Sequence, residues 1–72
     1  MKQYYDINTT LTVGADEADV RATINLTRSG GDIWIEGVSG PDGVRAETNS
    51  DLFRAAEAWL ERRYEDILQG QV

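Results

Sequence analysis

The apolar residues of this chain change their spacing once, at Asn49-Ser50, and that switch restricts the folds open to it. Before it they fall on every second position: Tyr5, Ile7, Leu11 and Val13, then Val20, Ala22, Ile24 and Leu26, then Ile33 and Ile35. After it they recur at helical spacing, at Phe53, Ala56, Leu60, Tyr64 and Ile67. A period of two gives a strand one apolar face, and a period near 3.6 gives a helix one apolar stripe. Together the two patterns predict an α+β fold. The expected architecture is a four-stranded antiparallel β-meander with one C-terminal α-helix packed on one face, in the order ββββα.

Strands are expected at about 3–13, 19–28, 33–38 and 44–47, and the helix at about 51–69, within a single domain spanning residues 1–72. Ser29-Gly30-Gly31-Asp32 reads as a tight hairpin. Gly37 marks a bulge or the end of regular pairing in the third strand. Gly40-Pro41-Asp42-Gly43 carries the residues of a turn and leads into the short fourth strand. All these links are short, so the strands are expected in the order 1-2-3-4. Ser50, or Asn49, caps the helix, Asp51 sits in its positive first turn, and Gly70 stops it. Leu52, Trp59 and Leu68 widen the helical stripe to the breadth needed to lie on a sheet.

A chain of 72 residues forms one small core, and scaffolds of this size often need disulfides, a metal or a second subunit. There is no Cys and no His, which removes disulfides and ordinary zinc sites and leaves oligomerisation, so a homodimer is one expected state. The same two absences remove the commonest general acid–base and the commonest thiol nucleophile. The carboxylates fall in loops or at outward strand and helix positions, where no shielded cleft is expected. The reading is therefore of a protein that is not an enzyme and takes no cofactor.

The net charge of −6 repels phosphate backbones and anionic membranes, so nucleic acid is a disfavoured partner and no membrane is expected. No apolar run follows a basic cluster after Met1-Lys2, and no stretch reaches membrane-spanning length, which makes the cytoplasm the expected compartment. Asp16, Glu17 and Asp19 invite a metal reading. Their glycine comes first and no distant bidentate glutamate follows at calcium-loop spacing, so a solvated loop explains them and no metal is expected.

What remains for function is the outer skin. Strand alternation turns Tyr4, Arg21, Thr23, Trp34, Glu36 and Val38 away from the helix, and these are the candidate partner-binding residues. Threonines on a wet sheet face follow from strand propensity alone, whereas an outward Trp34 between Ile33 and Ile35 presents the kind of aromatic body found where partners dock. The bland alternative is that Trp34 lies flat across its neighbours. The unpaired side of the first strand is a second route, through strand addition or a sheet continued across a dimer.

The leading expectation is a small acidic interaction module, an accessory or inhibitor protein of bacterial or phage type, binding a partner protein or itself through the outer face or an edge strand. The runner-up is a DNA mimic that offers Asp16, Glu17, Asp19, Glu57, Glu61, Glu65 and Asp66 to a basic nucleic-acid-handling protein. A single-stranded nucleic-acid binder ranks below both, because only Lys2, Arg21, Arg28 and Arg45 lie in the sheet region.

Overall fold

In the computed structural model, which describes residues 1–69, three strands and one helix follow one another: β1 (Lys2–Val13), β2 (Ala18–Ser29), β3 (Asp32–Ser39) and α1 (Asp51–Leu68). The strands form one antiparallel sheet in the order β1-β2-β3. The fold is α+β, with three strands and not the four that the sequence suggests.

The expected strand at 44–47 is reduced to a single bridge between Ser39 and Arg45. Two backbone bonds hold this stretch, from Gly40 N–H to the Val44 carbonyl (3.0 Å) and from Ala46 N–H to the Val38 carbonyl (2.7 Å). The next acceptor along the β3 edge, the Glu36 carbonyl, is taken by the Arg45 guanidinium at 2.7 Å. A side chain thus stands where a fourth strand would put its N–H. Four residues of apolar–polar alternation are too few to outweigh that geometry, and Val44 stays exposed. Gly70, expected to stop the helix, lies outside the described residues.

Strands β1 and β2 pair without interruption from Lys2–Ser29 to Val13–Ala18. Between β2 and β3 the register slips by one residue, so that Asn25 and Leu26 face Gly37 and Ile35 and Glu36 is the extra residue of a bulge. One added residue reverses the alternation beyond it. Val38 therefore pairs with Ile24 and faces the helix, with 0% exposure, where simple alternation puts it on the wet face. A row Ile7–Ile24–Val38 crosses all three strands, and Tyr5–Leu26–Ile35 forms the next.

Leu11, Ala22, Ile24, Leu26, Ile33 and Val38 supply the sheet side of the core, and Ala56, Trp59, Leu60 and Ile67 the helix side. Trp59 sits within the core and not at the rim of the apolar stripe, and Arg63 lies over its ring at 5.0 Å. Phe53 and Tyr64, expected at the centre of the stripe, are half-buried on one flank of α1.

Each end of α1 is tied down. The Ser50 hydroxyl accepts from Phe53 N–H at 3.3 Å and donates to the Glu47 carbonyl at 2.7 Å. The last turn has no basic residue of its own. Arg28, the last inward residue of β2, reaches across and donates to the carbonyls of Ile67 (3.3 Å) and Leu68 (2.9 Å). A cation there satisfies orphan acceptors and opposes the negative end of the helix dipole. Arg28→Ala is expected to lower the unfolding free energy by about 2 kcal/mol, the scale of a charge-assisted hydrogen bond at a helix end. Urea denaturation followed by circular dichroism measures it, and an unchanged midpoint would mean that this guanidinium does not hold the helix.

Candidate protein-docking site

Trp34 projects from the outer face of β3 because it lies between two residues, Ile33 and Ile35, that turn inward. Register places Thr27 of β2 beside it and Tyr4 of β1 beyond. Thr27 has no exposure although it lies on the face away from the helix, so the aromatic side chains and Glu36 cover it. Its hydroxyl donates to Glu36 Oε1 at 3.0 Å, and the Trp34 indole N–H donates to the same oxygen at 2.7 Å. Trp34 does lie over a threonine, and it still shows 36% of its surface, while Tyr4 shows 71%.

The Trp34 and Thr27 hydrogen bonds stabilise the ionised Glu36 and hold its carboxyl below the ordinary value of 4.5. Loss of solvent around the carboxyl acts in the opposite direction, and the charges of Lys2 and Arg45 add smaller contributions to the lowering. At neutral pH Glu36 is therefore a fixed acceptor that orients Trp34, not a proton donor.

The rest of the outer face is polar, with side-chain hydrogen bonds that cross from β2 to β1. Thr23 donates to Asn8 at 2.6 Å and Asn25 to Asp6 at 2.7 Å. Arg21 and Thr23 border a shallow polar depression with Asn8 and Pro41. Thr23 lies four residues from Thr27 along β2, roughly 13 Å away at strand rise. The six candidate docking residues therefore separate: Tyr4, Trp34 and Glu36 come together, Arg21 and Thr23 lie apart, and Val38 is in the core.

Trp34 gains other neighbours. An open groove of about 480 Å³ runs between β3 and α1, lined by Ile33, Trp34, Ile35, Phe53, Leu60 and Tyr64 and bordered by Glu57 and Glu61. On α1 the lining residues 53, 57, 60, 61 and 64 are spaced i, i+4, i+7, i+8 and i+11, which is one flank of a helix. The Tyr64 hydroxyl donates to the Gly31 carbonyl at 3.2 Å and ties the hairpin to this flank. The groove was hidden from sequence reading because Phe53 and Tyr64 count as core on spacing alone.

The acidic candidates divide as well. Glu57 and Glu61 border the groove, whereas Glu17 lies on the β1 side of α1 in a hollow shared with Arg62 and Arg63. Asp19 accepts from Thr12 on the outer face at 3.4 Å. Asp16, Glu65 and Asp66 are exposed; Glu65 continues the Glu57-Glu61 row one turn beyond the groove, whereas Asp66 lies on another side of the helix. Among the described residues no three acidic side chains converge at metal-binding distance, and no helix is long and apolar enough to cross a membrane. Compared with known proteins, the chain matches no family model, no curated protein and no solved structure.

The lowered Glu36 carboxyl has a pH consequence. Its folded value lies below the unfolded one, so its stabilising contribution is complete above 4.5 and is lost as pH falls through the folded value. The indole Nε1–H resonance of Trp34 is expected to hold steady from neutral pH down to 4.5 and to shift only below it. Glu36→Gln should abolish that titration. A midpoint above 4.5, or an identical titration in Glu36→Gln, would contradict the hydrogen bond as the cause.

Proposed function

We propose that this chain is a non-enzymatic protein-binding module, of accessory or inhibitor type, that receives a partner on the side where Trp34, the β3 edge and the α1 flank meet. The observation that carries this reading is the groove itself. It joins a partly exposed Trp held in place by Glu36 to an apolar wall of Phe53, Leu60 and Tyr64. Rigid aromatic side chains beside a concave apolar surface are the features on which protein interfaces concentrate their binding energy.

Catalysis is less well supported, because the Glu36 carboxyl beside Trp34 is held ionised and engaged by two donors, which leaves it no proton to give. A nucleic-acid groove needs available cations, and two of the four in the sheet region, Arg28 and Arg45, are committed to backbone carbonyls. A DNA mimic needs one continuous acidic face, whereas here Glu57 and Glu61 are on one side of α1 and Glu17 is on the other with two arginines.

Photo-crosslinking in cells tests the assignment. With p-benzoylphenylalanine in place of the exposed Glu61, a protein adduct is expected, and its yield should fall by about tenfold in a Trp34→Ala background. The same probe in place of Arg21, on the remote part of the outer face, should give none. Adducts from position 21 alone, or from neither position, would remove the reading.

A further inference from the structure

We propose that the unpaired strip of the β3 edge, at Ile33 and Ile35, takes up an extended basic segment of the partner protein as an added strand, whose apolar side chains enter the groove against α1. This inference rests on the docking side assigned above.

The backbone defines the strip. In a two-residue hairpin the flanking pair, Ser29 and Asp32, exchanges both backbone hydrogen bonds, and bonded and non-bonded pairs alternate from there. Trp34 is thus bonded to Thr27, while the N–H and C=O groups of Ile33 and Ile35 point away from β2. The far side of the bulge agrees: the Val38 carbonyl points to the same edge and accepts from Ala46. The edge is therefore filled from one end, by Ala46 at Val38 and by Arg45 at Glu36, and filling stops there. Among the described residues no hydrogen bond reaches Ile33 or Ile35 from outside the sheet.

An added strand alternates its side chains at the pitch of β3. Those directed to the helix side would meet Phe53, Leu60 and Tyr64, and those directed outward would lie beside Trp34 and Glu36. Charge selects the occupant. Glu57 and Glu61 border the groove, Glu36 lies on its outer side, and the whole chain carries −6. A second copy would bring another Glu57 and Glu61 to the same place, with like charges facing each other. Lys or Arg in an incoming segment would face opposite charge, and over Trp34 would gain a cation–π contact. The hollow beside the other edge, between β1 and α1, includes Leu11, Ala55, Ala58 and Trp59. Arg62 and Arg63, however, line it together with Thr10, Thr12 and Glu17, and two cations there oppose a basic segment.

The test uses the full-length chain, isotopically labelled, and a heptapeptide of alternating lysine and valine. A copy of the peptide N-methylated at alternate residues keeps charge and side chains but cannot pair along one edge. In the free chain the amides of Ile33 and Ile35 should exchange fast and that of Trp34 slowly. With the peptide, the two isoleucine amides should slow by about tenfold or more. The N-methylated copy should bind about tenfold more weakly, and the exposed double variant Glu57→Gln/Glu61→Gln should lose a further few-fold that also disappears at high salt. Equal affinity for both peptides, no binding by either, or protection appearing along Lys2–Val13 would overturn strand addition at this edge. So would a free chain that sediments as a dimer with both isoleucine amides already protected. Adducts from position 61 alongside any of these results would leave the docking side standing and remove only the added strand.

Discussion

The extra residue that β3 inserts opposite Asn25 determines most of what lies beyond it. Glu36 adds a residue without a partner of its own, and the strand resumes with its faces exchanged. Val38 thereby enters the core opposite Ile24 and completes a row that crosses all three strands. The Glu36 side chain stays on the outer face and its carbonyl turns to the open edge. The first accepts from Trp34 and Thr27, and the second from Arg45. Gly37 is part of the same device: a Cβ there would lie 2.8 Å from Arg45 Nη2, so any other residue would oblige the guanidinium to shift.

Arg45 on that carbonyl explains both the missing strand and the open groove. Once a side chain has taken the acceptor at Glu36, the segment after the Gly40-Pro41 turn cannot continue along β3, and it departs toward the Ser50 cap. The remainder of the edge, from Asp32 to Ile35, is left beside the flank of α1 that carries Phe53 and Tyr64. A true fourth strand would have covered this strip and turned those two aromatics into core. The bulge, the truncated edge and the groove are therefore one structural fact seen from three sides.

Much of the fold was legible because three strands and the helix are long enough for their periods to be unambiguous. Lys2–Val13 and Ala18–Ser29 alternate strictly, and Asp51–Leu68 has a cap, a charge and a stripe that agree. Residues 44–47 were misread because four alternating residues contain no information about whether a partner edge is free to accept them. Val38 was misread because parity was carried straight through Gly37, the one position whose residue type signals a break. Trp34 was legible as outward, since its neighbours Ile33 and Ile35 fix the face locally. Its engagement by Glu36, two positions along, was within reach of the same alternation, because both project from one face. The reach of Arg28 to the end of α1 was not, since it joins residues 39 and 40 positions apart and depends on the angle at which the helix crosses the sheet.

An open edge in so small a domain carries an aggregation risk, and the way it is contained bears on what it can bind. Sheet edges are usually guarded by shortness, by charge or by cover. Here the strip is short, because Arg45 and Ala46 close it at one end and the hairpin at the other. It is partly covered, because Trp34 and the α1 flank stand over it. The charge lining the groove itself is of one sign, in Glu57 and Glu61, while the Arg45 guanidinium is spent on the Glu36 carbonyl at the closed end of the strip. A guard of mixed charges would discourage every incoming strand alike, whereas a guard of one sign discourages copies of the same acidic chain and favours a basic one. Protection against self-association and selection of a partner would then be the same carboxylates acting on two different strands.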